Sequence, residues 1–268
     1  MNPEQILQPT LDLIKETGLF IRREGRNFDR SKIEQKGLND LVSYVDKQAE
    51  ERLVSGLRQL LPGCGFIAEE GTAQAADEEY KWVIDPLDGT TNFLHGLPPH
   101  AVSVGLLQGR ELVLGVVYEV IGDELFWAQK GQGAYCNGQR ISVSPIDKLS
   151  GGLMATGFPY YDFGMMEVYL QILNEFMRSS HGLRRLGSAA VDLVYTAMGR
   201  FEGFYEYNLN AWDVAAGILI VQEAGGTVTD FKGGSDYLFG REIIATNGRV
   251  HAEVLEIIRS RWHKGQGK

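Results

Sequence analysis

The run Trp82-Val83-Ile84-Asp85-Pro86-Leu87-Asp88-Gly89-Thr90-Thr91-Asn92-Phe93 constrains this chain more than any other stretch. An apolar, strand-like segment feeds into two carboxylates three residues apart, with a proline between them and a Gly-Thr pair behind. In an uninterrupted strand, side chains at i and i+3 point to opposite faces. Pro86 has a fixed φ and no N–H to donate, so the strand is expected to end there. A turn then swings Asp85 and Asp88 towards one point. Two inward carboxylates at one point repel each other, and a divalent cation removes the conflict. All-oxygen ligation favours Mg²⁺ or Mn²⁺ over Zn²⁺. The backbone N–H groups of Gly89, Thr90 and Thr91 suit a phosphate if a helix starts there. The bland alternative is a hairpin, since Asp-Gly is a strong turn signal.

Other segments offer partners for this turn. Glu69-Glu70 follows the short apolar run Phe66-Ile67-Ala68, and a carboxylate at that strand end reaches a ligand held at Asp85. Alternation favours Glu69 as the inward one, but three residues do not separate it from Glu70. Trp212-Asp213-Val214-Ala215-Ala216-Gly217 opens a buried helix. Asp213 there reads equally as a cap, favoured by the orphan N–H groups and the dipole, or as a ligand. Glu206 lies seven residues earlier. Gly187-Ser188-Ala189 opens another helix, whose N–H groups suit a phosphate or a sugar hydroxyl, while Ser188 also suits a plain cap. Lys36 is a candidate loop cation for a bound anion.

Several function classes are excluded or disfavoured. The net charge of -9 argues against a general nucleic-acid binder. No apolar run reaches the length of a membrane span, and Met1 to Gln5 shows no basic leader, so a cytoplasmic chain is expected. Cys64 and Cys136 lack any CxxC spacing and are expected to be reduced. The histidines show no ligand spacing, and no Walker-type or Gly-x-Ser-x-Gly pattern is present.

With 268 residues, of which 44% are hydrophobic, the chain can bury a large core. Apolar periodicity predicts helices over 4–24 and 43–61, a polar loop from Gly25 to Lys36, and a strand over Tyr80–Asp85. A β-meander over 100–136 follows, with a hairpin signal at Asn137-Gly138. Beyond it, helical patterns near 165–177, 189–198, 214–224 and 250–262 alternate with short strands at 152–155, 203–205, 226–228 and 243–245. The expected organisation is an α+β half, 1–147, carrying most of the metal ligands. An α/β half, 148–268, follows it, with a site in the cleft between the two.

In these motifs the chain resembles the inositol monophosphatases, within the lithium-sensitive, Mg²⁺-dependent sugar and nucleotide phosphatases. The resemblance rests on the run from Trp82 to Phe93 and on Trp212-Asp213 through Gly226. Lys36-x3-Asp40-x-Val42-Ser43-x2-Asp46, Phe66 to Glu70, and Gly187-Ser188-Ala189 fall in the same order. It implies a five-layer αβαβα sandwich, usually a homodimer, with Mg²⁺ ions held by Glu69, Asp85, the Leu87 carbonyl, Asp88 and Asp213. A third, weaker ion would share Glu69. It also implies direct attack of water on a phosphate monoester, with Glu69 and Thr90 positioning the water and Asp46 orienting Thr90. The N–H groups of Gly89 and Thr90 would receive the phosphate, Gly187, Ser188, Ala189 and Glu206 would meet the polyol, and Asp88 and Asp213 would also contact the substrate. Inositol 1-phosphate or a similar small polyol monophosphate is the implied substrate. Fructose 1,6-bisphosphate, histidinol phosphate and a 3′-phosphonucleotide are the alternatives. Some bacterial members of the family are partners of the transcription machinery, which makes a regulatory role the reading from a different class.

Overall fold

The computed structural model describes residues 4–26, 28–29, 31, 33–37, 40–72, 78–159 and 163–265. Two long helices come first, α1 (Glu4–Gly25) and α2 (Tyr44–Leu60). Between them β1 (Ile33–Gly37) and β2 (Asp40–Ser43) pair antiparallel. This ribbon corrects the loop expected from Gly25 to Lys36. Ile33 is the one apolar side chain of β1, so no alternation marks the strand in sequence, and it is recognisable only by its backbone pairing. A reciprocal cap starts α2: Ser43 Oγ accepts from Val45 N–H at 3.1 Å, and Asp46 Oδ2 accepts from Ser43 N–H at 2.9 Å.

A seven-stranded sheet follows. Its strands, in spatial order, are β3 (Gly65–Ala68), β4 (Tyr80–Asp88), β5 (Ala101–Gln108), β6 (Glu111–Glu119), β7 (Glu124–Gln129), β8 (Ala134–Cys136) and β9 (Gln139–Ile141). β3 runs parallel to β4, and every later pair is antiparallel. A short helix, α3 (Thr90–His95), links β4 to β5. The second sheet contains β10 (Leu153–Thr156), β11 (Gly182–Arg184), β12 (Gly203–Tyr207), β13 (Thr227–Thr229) and β14 (Glu242–Thr246), in the order β11-β10-β12-β14-β13. The helices of this half are α4 (Met166–Ser179), α5 (Ala189–Ala197), α6 (Ala211–Glu223) and α7 (His251–Gly265). The chain passes from one sheet to the other between Ile141 and Leu153.

Both sheets are covered on both faces, so successive strand residues enter different cores. Trp82, Ile84, Val102 and Val116 pack with α1 and α2. Val83, Val117 and Phe126 face the other way, onto α5 and α6, and meet Phe204, Ile243 and Ala245 of the second sheet there. Tyr205 and Ile244 turn to the far side, against Phe176 of α4 and Trp262 of α7. The layers are therefore helix, sheet, helix, sheet, helix. α6 is buried almost all round, from Val214 to Val221, which accounts for its lack of a polar face. Among the described residues, no helix is long and apolar enough to cross a membrane.

Candidate active site

The strand carrying the acidic motif does not end at Pro86, as the sequence suggested. β4 runs on to Asp88 through a bulge. Asp85 lies opposite Ser103 and Asp88 opposite Ala101, so three steps on β4 match two on β5. Proline tolerates this position because a bulge requires no ladder N–H from it. The extra residue also reverses the face of everything after it. Asp85 and Asp88 oppose residues two apart, so both project from one face of the sheet, the face towards α6. Asp85 Oδ1 accepts from Leu87 N–H at 2.9 Å, which fixes the carboxylate within its own turn.

β3 brings Glu69 to the same place. Ala68 is paired with Ile84 in the parallel ladder, and Glu69 N–H donates to the Ile84 carbonyl at 3.2 Å, so Glu69 stands beside Asp85. Glu69 lines the cleft and Glu70 does not. Glu70 N–H instead donates to Glu50 Oε2 at 2.7 Å, and Thr72 donates to Glu50 Oε1 from N at 2.8 Å and from Oγ1 at 2.7 Å. Buried Glu50, on α2, thus holds the turn that follows Glu69.

From the helical layer between the sheets, α6 presents Asp213 in its first turn, where the carboxylate accepts from Asn210 N–H at 2.6 Å. Capping geometry and placement at the cleft coexist in this residue. α5 presents its N-terminus to Asp88. Oδ2 of Asp88 accepts from Ser188 Oγ at 2.6 Å and from Ala190 N–H at 2.7 Å. Ser188 is therefore turned to Asp88 and does not line the cleft, whereas Gly187, Ala189 and Glu206 do. Gly89, at φ 89°, caps α3 in the left-handed region, and its own position is crowded, with the Pro99 carbonyl 3.0 Å from where a Cβ would stand. The first intrahelical bond of α3 is Phe93 N–H to Gly89 O, so the N–H groups of Thr90 to Asn92 have no partner within the helix. Thr90 Oγ1 lies 2.9 Å from both Asp46 Oδ1 and the Leu87 carbonyl, and its single proton serves one of them at a time. Lys36 is placed on β1, in the ribbon that leads into α2.

The resulting cleft has a volume of about 390 Å³ and is lined by Glu69, Asp85, Asp88, Thr90, Glu206 and Asp213, among others. Its electrostatics are unbalanced. Burial first, then the charges of Glu69, Asp88 and Asp213, push the Asp85 carboxyl well above the usual carboxylate range. Burial pushes Asp88 up to about 6 against the pull of the Ser188 and Ala190 hydrogen bonds. Burial and the Asp88 charge push Asp213 up to about 7. Burial, then the charge of Asp213, raises Glu206 strongly. Arg185 is the one cationic side chain among the described lining residues. The donor set is all oxygen, which suits a hard divalent cation. Among the described residues, no three Asp, Glu, His or Cys side chains close into a ligand set by themselves. Mg²⁺ characteristically completes its shell with water. The residues fit a divalent cation in chemistry and in charge.

Four further residues of the candidate site are not singled out by the sequence. Glu50 and Asp192 look like ordinary helix-surface acids until the fold buries them. Arg185 lines the cleft, although nothing in its local sequence points there. Asn92 Nδ2 donates to the Pro99 carbonyl at 2.7 Å and to the Leu186 carbonyl at 2.9 Å, tying α3 to the segment before α5. The i, i+4 spacing of Asp46 and Glu50 was the available signal for Glu50. No local pattern marks the other three.

The chain is similar to known proteins over nearly its whole length. The sequence model of the inositol monophosphatase family matches residues 2–263. The chain is 44% identical over 259 residues to a putative Nus factor SuhB of Neisseria meningitidis, covering 96% of this chain and 98% of that one. It is 38% identical over 255 residues to an inositol-1-monophosphatase of Mesorhizobium japonicum, covering 95% and 96%. The crystal structure of the extragenic suppressor protein suhB from Bartonella henselae superposes with a TM-score of 0.90 at 38% identity, over 95% of this chain and 98% of that one.

Proposed function

The chain belongs to the inositol monophosphatase family, and from that premise we propose that it is a Mg²⁺-dependent phosphatase of inositol 1-phosphate or a similar small polyol monophosphate. The observation that carries this reading is the convergence of Glu69, Asp85, Asp88 and Asp213 on one cleft, the first three from the ends of β3 and β4 and the last from helix α6. Asp85 would bridge two Mg²⁺ ions. Glu69 and the Leu87 carbonyl would complete one ligand set, Asp88 and Asp213 the other, with Glu69 shared by a weaker third ion; Mn²⁺ fits the same donors. Bound there, the ions would supply positive charge to the phosphoryl oxygens and make water a stronger nucleophile.

The protein's own part can be followed atom by atom. Thr90 donates its hydroxyl hydrogen bond to Asp46 Oδ1, which turns an Oγ1 lone pair to the attacking water. Glu69 takes a proton from that water as it attacks phosphorus, the phosphorus–oxygen bond to the polyol breaks, and the leaving oxygen takes a proton from solvent. The unpaired N–H groups at the start of α3 receive the phosphate, with Gly89 permitting the close approach. Uncatalysed monoester hydrolysis is so slow that the site must lower the barrier by roughly 20 kcal/mol. One positioned base contributes only about 10²–10⁴-fold, so fixed charge and oriented donors do most of the work. At the far end, Glu206 suits neighbouring hydroxyls and repels a second phosphate. Its carboxyl occupies space left by Gly157, whose added Cβ would fall 2.0 Å from it.

A substrate panel in Mg²⁺ tests the reading. Inositol 1-phosphate is expected to give the highest kcat/KM, with no turnover in excess chelator. A higher value on fructose 1,6-bisphosphate, histidinol phosphate or a 3′-phosphonucleotide would overturn the substrate choice. A second reading, a partner of the transcription machinery, is favoured by the Nus-factor name of the Neisseria relative. Arg184, exposed on β11, is available for such contact. RNA polymerase retained on the immobilised chain supports this role, which is compatible with catalysis; none retained sinks it. A homodimer belongs to the same proposal.

A further inference from the structure

Asp192 sits in the first turn of α5, just past Ser188, and is 1% exposed. Its Oδ1 is buried and has no hydrogen-bond partner among the described residues. The residue lines the cleft, and the charged groups that face its carboxyl, Glu206, Asp88 and Arg185, line it too. A carboxyl is welcome near a helix N-terminus, but that preference does not require burial. The capping role of α5 is in any case already filled by Ser188, and Asp88 binds the same terminus. Burying a carboxyl oxygen without a donor costs stability. The cost is recovered if a ligand brings the donor.

Resting on the phosphatase reading above, we propose that Asp192 is a specificity-determining residue whose unpaired carboxyl oxygen accepts a hydrogen bond from a hydroxyl of the leaving group, beside Glu206. Glu206 comes from β12 and Asp192 from α5, so the two carboxyls approach the leaving group from two elements. The Arg185 guanidinium, held 5.6 Å over the Phe158 ring, adds a positive group at the same end. A hydroxyl fits such a pair of groups because it can donate to a carboxyl oxygen and accept from a guanidinium N–H. A carbonyl-type oxygen accepts such a bond whether or not the carboxyl is ionised. The substrate class is a monophosphate whose leaving group carries adjacent hydroxyls. A site built to bind a hydroxyl rejects the analogue that lacks it, because its buried polar group is then left unpaired.

The test compares kcat/KM for inositol 1-phosphate and for p-nitrophenyl phosphate, which has no hydroxyls, using the full chain in saturating Mg²⁺. Asp192→Leu, which puts methyl groups where the oxygens stand, is expected to lower the ratio of the two about ten- to hundredfold. The change should appear mainly in KM for inositol 1-phosphate. Asp192→Asn keeps one acceptor oxygen and is expected to recover part of the ratio, with a Tm no lower than that of the wild type. An unchanged ratio in the variants, or equal losses on both esters, overturns the proposal, as does a wild type that prefers histidinol phosphate and loses that preference in Asp192→Leu. No turnover of any ester by the wild type overturns the phosphatase reading and this inference with it. Normal wild-type turnover with an unchanged ratio overturns this inference alone.

Discussion

Asp85→Asn is expected to leave the chain folded and to lower kcat/KM by at least about 10³–10⁴-fold, several kcal/mol of transition-state stabilisation. Asparagine fits the same bulge and can accept from Leu87 N–H as Asp85 does. It lacks the charge needed to bridge two cations, so near-normal turnover would sink the metal assignment. The same substitution has a second readout. Without metal, Asp88 titrates near 6 and Asp213 near 7 in the folded chain, against about 4 for an unfolded carboxyl. The folded state therefore holds more protons than the unfolded state between about pH 4 and 7, and its stability falls as pH rises through that window. In excess chelator the wild-type Tm should fall from pH 5 to pH 8, and Asp85→Asn should flatten the fall by removing one carboxyl that burial raises. A wild-type Tm that rises with pH in chelator would contradict the electrostatic account.

Thr90→Ala is expected to cost about 10²–10⁴ in kcat, because the water that Glu69 deprotonates is then no longer held in place and the contribution of the base is lost. Thr90→Ser, which keeps Oγ, should recover most of it. Asp46→Ala should cost a similar factor and also lower Tm, because Asp46 serves two masters. Its Oδ1 takes the Thr90 hydroxyl, while Oδ2 holds Ser43 by N–H at 2.9 Å and by Oγ at 2.7 Å at the start of α2. Loss of a helix cap costs about 1 kcal/mol, or roughly 2–4 °C in a chain of this size. If Thr90 and Asp46 act as one unit, the double variant should be no slower than the worse single one. Rate losses that multiply would show that they act separately.

Much of this site was legible before the fold was known, because the residues concerned break local rules. Asp85, Asp88 and Gly89 interrupt an apolar strand, and Asp213 heads a helix with no other polar residue for two turns. What stayed hidden depended on register and burial. The sequence cannot show that Pro86 sits in a bulge, because that depends on which β5 residues lie opposite. Glu69 and Glu70 become distinct only once Ala68 is paired with Ile84. β1 was missed because one apolar residue produces no period. Asp192 was missed because a helical aspartate becomes unusual only when the space around it proves closed.

Asp46 and Glu50 stand one turn apart on α2, the first holding Thr90 and the second the turn after Glu69. The two groups proposed to handle the attacking water are thus both set by the position of one helix that touches neither substrate nor ion. α2 in turn rests on α1 and β4 through Leu53 and Leu57. A loosening of that remote seam by a fraction of an ångström would displace both groups together and slow turnover well before melting changed. Turnover is then the more sensitive gauge of the outermost helical layer, and lesions far from the cleft can present as enzymatic ones.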